Sequence, residues 1–381
     1  MKILFIITDY SGFNNFLAET AVELLRKGHS VDVICSPIKV IDYEDKYPYE
    51  NLGVKFHFLN FPRSFNLLSQ IKACVAIKAS IDGIDPSVIS IHFTTAMFTT
   101  LLLGRLKVNT IGTFHGVGYP IIDGKIKKII FKIVEHICCR RLDQIWVLNK
   151  FDYNLLSATY PKQINLLSTK GLGCDINRFN IHNFTESYKA DFKQQLGIKP
   201  QDFVLAFTGR FVSFKGFSLV VNAVRHAIEK LEETNLKLLL IGGKDNLHPT
   251  GLNIEQEVWC DQSENVIDVG FTSSVEKYLA ITDIFTFPSM REGMPVCIIE
   301  ALAMGIPVIT TDSRGCNDLI TNGINGIVLN SPTIGELAEA IVELKNNAAM
   351  RSHFKTAISK DREKLDRMLF VNQQLKMFEN I

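Results

Sequence analysis

Residues 284–316 read IFTFPSMREGMPVCIIEALAMGIPVITTDSRGC. Ile284–Phe287 is a short β-branched and aromatic run that a proline ends, and Val308–Thr311 is a second such run. Between them the pattern favours a helix that begins near Pro295, where proline costs no needed donor, and ends at Gly305. The segment therefore predicts one βαβ unit of a parallel sheet.

The start of this predicted helix is suited to bind an anion. The backbone N–H groups of residues 294–297 would face outward at the carboxyl end of a parallel strand, where the helix dipole favours a phosphate. Glu292 lies just before the helix and Glu300 about one and a half turns inside it. Because carboxylates accept hydrogen bonds from hydroxyl groups and repel phosphate, the pair predicts a ligand with both groups, such as a nucleotide sugar.

The order of residues around the two glutamates carries a family resemblance. Residues 288–309 read P-S-x-x-E-G-x-P-x-x-x-x-E-A-x-A-x-G-x-P-V-I, which resembles the donor-binding signature of the family 4 glycosyltransferases of GT-B fold. The resemblance implies that Glu292 holds sugar hydroxyls and Glu300 the ribose diol; the alternative is two incidental surface glutamates. It also implies donor contacts from the residues around the helix start, namely Gly293, Met294, Pro295 and Val296.

Composition and length restrict the class of protein. A chain of 381 residues suits two domains with a cleft between them. Because 41 basic residues offset 40 acidic ones, no global field would attract nucleic acid, and no nucleic-acid partner is expected. The eight cysteines form no C-x-x-C pair, which indicates reduced thiols and no metal site. The apolar run at 3–7 is too short for a signal peptide, and 94–104 is too short to span a bilayer, so a cytoplasmic protein is expected.

The first half of the chain begins as a mononucleotide-binding fold. A strand over residues 2–7 precedes a loop over 8–13, in which Ser11-Gly12 stands where the family usually has Gly-Gly. Gly12 is expected to let the backbone approach a diphosphate. The loop lacks G-x-G-x-x-G, which argues against a nicotinamide-dependent dehydrogenase. His115 follows a predicted strand over 109–114, and its T-x-H context resembles the family histidine near the donor sugar; the alternative is a structural histidine.

Residues 124–141 read GKIKKIIFKIVEHICCRR and predict an amphipathic, basic helix. Two interpretations remain open for it. The isoleucines could form a core stripe under a solvated charged face. Alternatively, the helix could be a surface for an anionic membrane or for a lipid diphosphate acceptor, which would place the protein peripherally on the inner membrane.

The second half repeats the α/β pattern with two further binding motifs. A strand over 203–208 leads into Gly209, Arg210 and, five residues later, Lys215. This G-R-x-x-x-x-K-G resembles the family's diphosphate clamp, although both cations could be ordinary surface charges. The turn at Phe271 and Thr272 follows a predicted strand, and the resemblance implies that it meets the nucleobase. Core packing of the phenylalanine is the alternative.

Taken together, the resemblance implies two Rossmann-like domains over residues 1–180 and 190–350, with a C-terminal helix over 351–381 that returns to the first domain. The expected reaction is transfer of a sugar, with retention of configuration, from a UDP-sugar to a hydroxyl acceptor. The segment R-G-C-N-D at 314–318 resembles enzymes that extend undecaprenyl-diphosphate-linked saccharides. No D-x-D occurs in the chain, so metal-independent catalysis without a cofactor is expected. The alternatives are a nucleotide-sugar epimerase of the same fold and a non-catalytic partner subunit.

Overall fold

A computed structural model of the chain describes residues 1–37, 49–62, 66–245 and 248–379. It divides into two compact units, the first comprising Met1–Ser168 with Leu369–Ile381 and the second comprising Thr169–Met368. Each unit contains one parallel β-sheet whose strands alternate with helices along the chain. The predicted α/β class with two Rossmann-like domains is therefore confirmed.

The first unit has a seven-stranded sheet among its described residues. Its strands are β1 (Lys2–Asp9), β2 (Ser30–Ser36), β3 (Lys55–Phe58), β4 (Val88–His92), β5 (Asn109–Phe114), β6 (Gln144–Val147) and β7 (Ile164–Leu166). Its helices are α1 (Tyr10–Phe16), α2 (Ala18–Arg26), α3 (Leu67–Ile84), α4 (Thr94–Leu101), α5 (Lys125–Arg141) and α6 (Lys150–Ser157). The strand order β3-β2-β1-β4-β5-β6-β7 reverses direction between β1 and β4, which creates a switch point where ligands bind in open α/β sheets.

Strand β1 passes through the centre of this unit. All five residues from Ile3 to Ile7 are fully buried, as expected for a strand covered on both faces. The helix α1 begins immediately afterwards, at Tyr10, because Asp9 caps it by accepting a hydrogen bond from the Gly12 N–H at 2.8 Å. The loop predicted at residues 8–13 is thus largely a helical turn.

The second unit has a six-stranded sheet among its described residues, ordered β10-β9-β8-β11-β12-β13. Its strands are β8 (Phe203–Phe211), β9 (Leu236–Lys244), β10 (Val266–Gly270), β11 (Ile284–Phe287), β12 (Val308–Thr311) and β13 (Gly326–Leu329). Its helices are α7 (Glu186–Gln195), α8 (Phe217–Lys230), α9 (Ile254–Gln262), α10 (Val275–Leu279), α11 (Val296–Ala303), α12 (Cys316–Leu319), α13 (Ile334–Asn346) and α14 (Ala348–Asp361); α15 (Arg367–Glu379) runs from this unit into the first.

The βαβ unit predicted at residues 284–311 is confirmed. Strands β11 and β12 are parallel neighbours, with Phe285 opposite Val308. The intervening α11 has Pro295 as its N-cap, and Gly305 follows its end with a φ of 77°, a conformation that glycine adopts without strain. The switch point of this sheet lies between β8 and β11, next to the start of the same segment.

The chain divides earlier than the sequence suggests. Residues 169–180 belong to the second unit because Arg362 donates hydrogen bonds to the carbonyls of Ile176 and Phe179, and Cys174 pairs with Asp366 as an isolated bridge. The predicted tail at 351–381 is likewise shared. Its first part, including α14, stays in the second unit, whereas the described part of α15 from Leu369 packs in the first, where Gln374 accepts a hydrogen bond from Thr20. Residues 380 and 381 lie outside the described residues.

The basic helix predicted at 124–141 is present as α5, but its apolar stripe is not simply a core. Val134 is buried and Ile137 half-buried, whereas Ile126, Ile129, Ile130 and Ile133 are exposed. The core-stripe interpretation is therefore wrong for those four isoleucines. Within the described chain, no helix combines the length and apolar character needed to cross a bilayer.

Candidate functional site

The clamp motif lies at the end of β8 and in the turn before α8. Gly209 and Arg210 are still part of β8, opposite Gly242 and Gly243 of β9. The Arg210 guanidinium forms a salt bridge with Asp245 and lies 5.6 Å from the centre of the Phe214 ring. A carboxylate and an aromatic face thus orient this partly exposed cation, which is consistent with a bidentate role toward phosphate.

Lys215 is more buried than Arg210. It ends a short 3₁₀ turn, Ser213–Lys215, and its Nζ donates to Glu292 Oε1 at 2.6 Å. The same carboxylate oxygen accepts from Ser289 Oγ at 2.7 Å, and Ser289 is fully buried. The structure therefore brings two predicted site residues, 77 positions apart, into one nearly buried ion pair.

The loop before α11 is fixed by its neighbours. Arg314 Nε donates to the Glu292 carbonyl at 2.6 Å, and Gly315 packs so close to Gly293 that a Cβ atom would collide with the Gly293 carbonyl. This contact, together with a φ of 78° at Gly315, explains why glycine occupies that position in the R-G-C-N-D segment.

The start of α11 retains donor groups suited to an anion. Pro295 caps the helix without any side-chain hydrogen bond, and the first turn carries no acidic residue. Met294 is buried just before the cap, and Val296 is the first helical residue. The N-terminal N–H groups of a helix without a capping side chain favour a bound anion. Helix α8 also begins without a side-chain cap, after Gly216.

Glu300 lies inside α11, away from the Lys215 ion pair. Burial raises the pKa of its carboxyl group to about 7, while Arg178 and Arg367 oppose that shift. Arg178 also forms a salt bridge with Glu276 and donates to the Ser273 carbonyl. It therefore links Glu300 electrostatically to the turn that follows β10.

That turn contains the two predicted nucleobase contacts. Phe271 is 88% exposed, so core packing, the alternative for this ring, is wrong. Thr272 Oγ1 accepts from the Ser274 N–H at 3.0 Å and shapes the turn. An exposed aromatic ring on a short turn is available to stack against a planar ligand.

His115 follows β5 in the first unit and forms part of a chain of polar groups. Its Nε2 lies 3.1 Å from His92 Nδ1, and His92 Nε2 lies 3.0 Å from Ser90 Oγ. Burial lowers the pKa of His115 to about 3 and also lowers that of His92, so both rings are neutral near pH 7. The His115 Nδ1 atom has no hydrogen-bond partner among the residues that the structure describes.

The other predicted contact of the first unit, Gly12, is less available. Its N–H is occupied by the Asp9 carboxylate, and an added Cβ would lie 3.1 Å from Ile7. The loop after His115 is instead shaped by Glu135 of α5, which accepts the N–H groups of Gly118 and Tyr119 at 2.7 and 3.0 Å. A phosphate at Gly12 would have to displace the Asp9 cap.

Several residues that support these sites were not predicted from the sequence. Asp245 and Arg178 pair with residues distant in sequence, and His92 and Glu135 support the segment around His115. A signal existed for Glu135, which is the one acidic residue in the basic run 124–141. No sequence pattern pointed to the other three, because each acts through a contact that only the folded chain creates.

Comparisons with known proteins identify the family. Residues 10–166 match the family model described as Glycosyltransferase Family 4, and residues 189–361 match the one described as Glycosyl transferases group 1. The two matches fall on the two α/β patterns and together account for most of the chain.

Two curated bacterial relatives match most of the sequence. An Escherichia coli UDP-Gal:alpha-D-GlcNAc-diphosphoundecaprenol alpha-1,3-galactosyltransferase is 22% identical over 76% of this chain and 74% of its own length. A Campylobacter jejuni N,N'-diacetylbacillosaminyl-diphospho-undecaprenol alpha-1,3-N-acetylgalactosaminyltransferase is 25% identical over 70% of this chain and 69% of its own. Both names describe sugar transfer to a lipid-linked saccharide.

Solved structures of similar fold cover the entire chain. Anabaena HepE in complex with UDP superimposes with a TM-score of 0.77 at 15% identity, covering all of both chains. A Rickettsia africae glycosyltransferase gives the same TM-score at 18% identity, covering 100% of this chain and 98% of that one. At this identity the structures show the fold alone, which is the fold that the family models imply. The chain therefore belongs to the family 4 glycosyltransferases of GT-B fold.

Proposed function

We propose that this glycosyltransferase retains anomeric configuration and transfers a hexosyl or N-acetylhexosaminyl group from a UDP-sugar. The acceptor would be a hydroxyl of an undecaprenyl-diphosphate-linked saccharide used for O-antigen or another surface polysaccharide. The observation that carries the proposal is the ion pair of Lys215 and Glu292 beside the uncapped start of α11. It combines a cation for phosphate with a carboxylate for hydroxyl groups.

Each clamp cation can keep its carboxylate partner and still bind the donor. A lysine ammonium has three N–H donors and an arginine guanidinium five, whereas Glu292 and Asp245 each occupy only part of that capacity. Both carboxylates would hold the cations in position before the donor arrives. Such preorganisation reduces the cost of stabilising charge that develops on the leaving diphosphate. Lys215 and Arg210 would thereby stabilise the leaving diphosphate without a divalent metal.

Glu292 has two oxygens with distinct environments. Oε1 is shared by Lys215 and Ser289, which leaves Oε2 as the natural acceptor for a sugar hydroxyl. Through Oε2, Glu292 would position the sugar, and the acceptor would attack from the face that the diphosphate leaves. His115 would contact the sugar as a neutral donor or acceptor through Nδ1.

The names of two relatives support the proposed donor and acceptor classes. The Escherichia coli relative is named for UDP-Gal and a diphosphoundecaprenol-linked acceptor, and the Campylobacter jejuni relative for a related lipid-linked acceptor. The exposed Phe271 ring would cover the uracil, Glu300 would accept from the ribose hydroxyls, and Thr272, Gly209 and residues 293–296 would line the donor. A lipid-linked acceptor would bring the enzyme to the membrane surface.

The test is a panel of UDP-, GDP- and dTDP-sugars, assayed first for thermal stabilisation of the protein and then for transfer. We expect one UDP-hexose or UDP-N-acetylhexosamine to raise Tm and to be consumed only when a lipid-linked acceptor is present, also in EDTA. NMR of the product should show the donor's anomeric configuration. Turnover of the donor without acceptor, an inverted product or an absolute requirement for Mg²⁺ would each contradict the corresponding part of the proposal.

A further inference from the structure

The helix α5 presents a continuous apolar stripe to solvent. Ile126, Ile129, Ile130 and Ile133 follow the spacing of one helical face, and their exposed fractions are 76, 58, 43 and 55%. Single exposed aliphatic residues are normal on protein surfaces, but four on one helix face form a contiguous patch. The packing of the first unit does not account for this stripe.

Four exposed lysines lie in the same half of α5 as the stripe, and the helix dipole does not favour them there. Lys125, Lys127 and Lys128 lie in the first turn of α5, where the helix dipole disfavours cations, and Lys132 follows one turn later. That first turn has no acidic residue, and Gly124 provides no capping side chain. None of the four forms a salt bridge within the part of the chain that the structure describes. Lys128 donates to the Pro120 carbonyl at 3.4 Å, and Lys132 lies 5.7 Å from the centre of the Tyr119 ring. Neither contact neutralises a charge, so all four cations can still meet an anionic partner.

Helix α3 also exposes aliphatic side chains beside a lysine. At the start of α3, Leu67 and Leu68 are 60 and 73% exposed, and Val75 further along is 54% exposed. Lys72 lies between them on the exposed side. Helix α3 thus repeats, in shorter form, the combination of aliphatic side chains and lysine seen on α5.

The topology brings these two regions to one side of the first unit. Helices α3, α4 and α5 follow β3, β4 and β5 of the parallel sheet, so all three begin at its carboxyl edge. Helix α4 packs against both others, through Thr99 to Gln70 of α3 and through Thr94 to Glu135 of α5, each at 2.8 Å. The exposed starts of α3 and α5 therefore flank α4 in one layer.

We infer that this layer docks the protein onto an anionic lipid bilayer. The docking face consists of Leu67, Leu68, Lys72, Val75, Lys125, Ile126, Lys127, Lys128, Ile129, Ile130, Lys132 and Ile133. Aliphatic side chains would enter the boundary between headgroups and acyl chains, while the lysines contact anionic headgroups around them. A bilayer supplies both an apolar layer and dense negative charge, which matches the face in both respects. Binding to the bilayer requires no sugar transfer, so the inference stands apart from the proposed function.

The experiment measures binding of the full chain to sedimenting vesicles. Vesicles of phosphatidylcholine alone are compared with vesicles that also contain phosphatidylglycerol. One variant carries Ile126→Ser, Ile129→Ser and Ile133→Ser, and another carries Lys125→Gln, Lys127→Gln, Lys128→Gln and Lys132→Gln. Two matched controls alter exposed residues of the second unit in the same way: Ile254→Ser with Val258→Ser on α9, and Lys230→Gln, Lys277→Gln, Lys355→Gln and Lys360→Gln.

We expect the wild type and both controls to bind the anionic vesicles well and the neutral ones weakly. The isoleucine and the lysine variants should each lose about tenfold or more in partitioning to the anionic vesicles. Circular dichroism should show unchanged secondary structure, since every altered side chain is exposed. Wild-type binding by either variant, or equal loss in its matched control, would overturn the inference. A wild-type dimer that the isoleucine variant converts to monomer in light scattering would assign the face to a second copy instead.

Discussion

The two units use positive charge in opposite ways. In the second unit Lys215 is 20% exposed and bound to a nearly buried carboxylate, and Arg210 is oriented by Asp245. In the first unit the lysines of α5 are exposed and stand among exposed isoleucines. A cation held by a carboxylate is oriented for a ligand of defined geometry, whereas exposed cations without a carboxylate partner among the described residues suit a charged surface. The arrangement of charge, rather than its amount, therefore distinguishes the two surfaces.

Removal of a cation that is paired with a carboxylate should have the largest effect on activity. We expect Lys215→Ala and Arg210→Ala each to lower kcat about 10²-fold or more, because a preorganised charge opposite the leaving group is lost. Lys345→Ala is the matched control, since Lys345 also pairs with a carboxylate, Glu233, in the same unit. Steady-state kinetics with a saturating donor measure the effect. Near-normal turnover of a well-folded Lys215 or Arg210 variant would remove that residue from the clamp.

A second prediction separates the structural role of the ion pair from its catalytic role. Lys215→Met leaves the Glu292 carboxylate in a nearly buried position without its cation, which should destabilise the second unit by about 2 kcal/mol. Adding Glu292→Gln removes the unpaired charge and should restore most of that stability without restoring activity. Urea unfolding followed by transfer assays measures both quantities. If the double variant stays as unstable as the single one, the pair does not hold this loop as described.

Salt should affect the two groups of cations to different extents. Raising ionic strength from about 0.1 to 1 M shortens the Debye length from about 10 to about 3 Å. Vesicle binding through exposed lysines should then weaken about tenfold, while the donor KM, governed by partly buried charges, should change less than about threefold. Vesicle binding and the donor KM are measured over the same series of salt concentrations, which gives the slope of each against ionic strength. Equal slopes would mean that salt screens the two groups of cations to the same extent.

The sequence predicted the fold well because its signals are local. Alternation of apolar runs with turn residues located β11, α11 and β12 closely, since proline and glycine at Pro295 and Gly305 limit where a helix can begin and end. The division of the chain was predicted less well. Arg362 anchors residues 176–179 to the second unit through contacts across 186 and 183 positions, and no local pattern encodes such pairs.

For the candidate site, the sequence predicted individual residues but not the residues that they contact. Glu292 and Lys215 came from motifs, yet their direct contact is a property of the folded loop. His92 gave no signal because a histidine within a strand has the same pattern whether or not it faces His115. For the isoleucines of α5, the sequence predicted the helix but not the exposure of its apolar face. Their periodicity correctly predicted a helix, but periodicity alone does not tell whether an apolar face is covered by protein.

The smallest expected effect concerns Glu300, a carboxylate that is perturbed by burial rather than by an ion pair. Its pKa is about 7 in the folded protein against 4.5 ordinarily. Between pH 4.5 and 7, the native state therefore holds a proton that the unfolded chain has released. The stabilisation from that proton is complete below about pH 4.5 and is lost as the pH rises through 7. Glu300→Gln cannot ionise, so its Tm in the absence of donor should exceed that of the wild type by about 2 °C or more at pH 8 and approach it near pH 5. Glu339→Gln, on the exposed side of α13, should follow the wild-type profile. With the donor bound, the wild type should instead have the higher Tm. An ionised Glu300 accepts hydrogen bonds from the ribose hydroxyls more strongly than a glutamine does. Tm profiles of the Glu300 variant and the wild type that run parallel from pH 5 to 8 would show that burial does not control this carboxyl group.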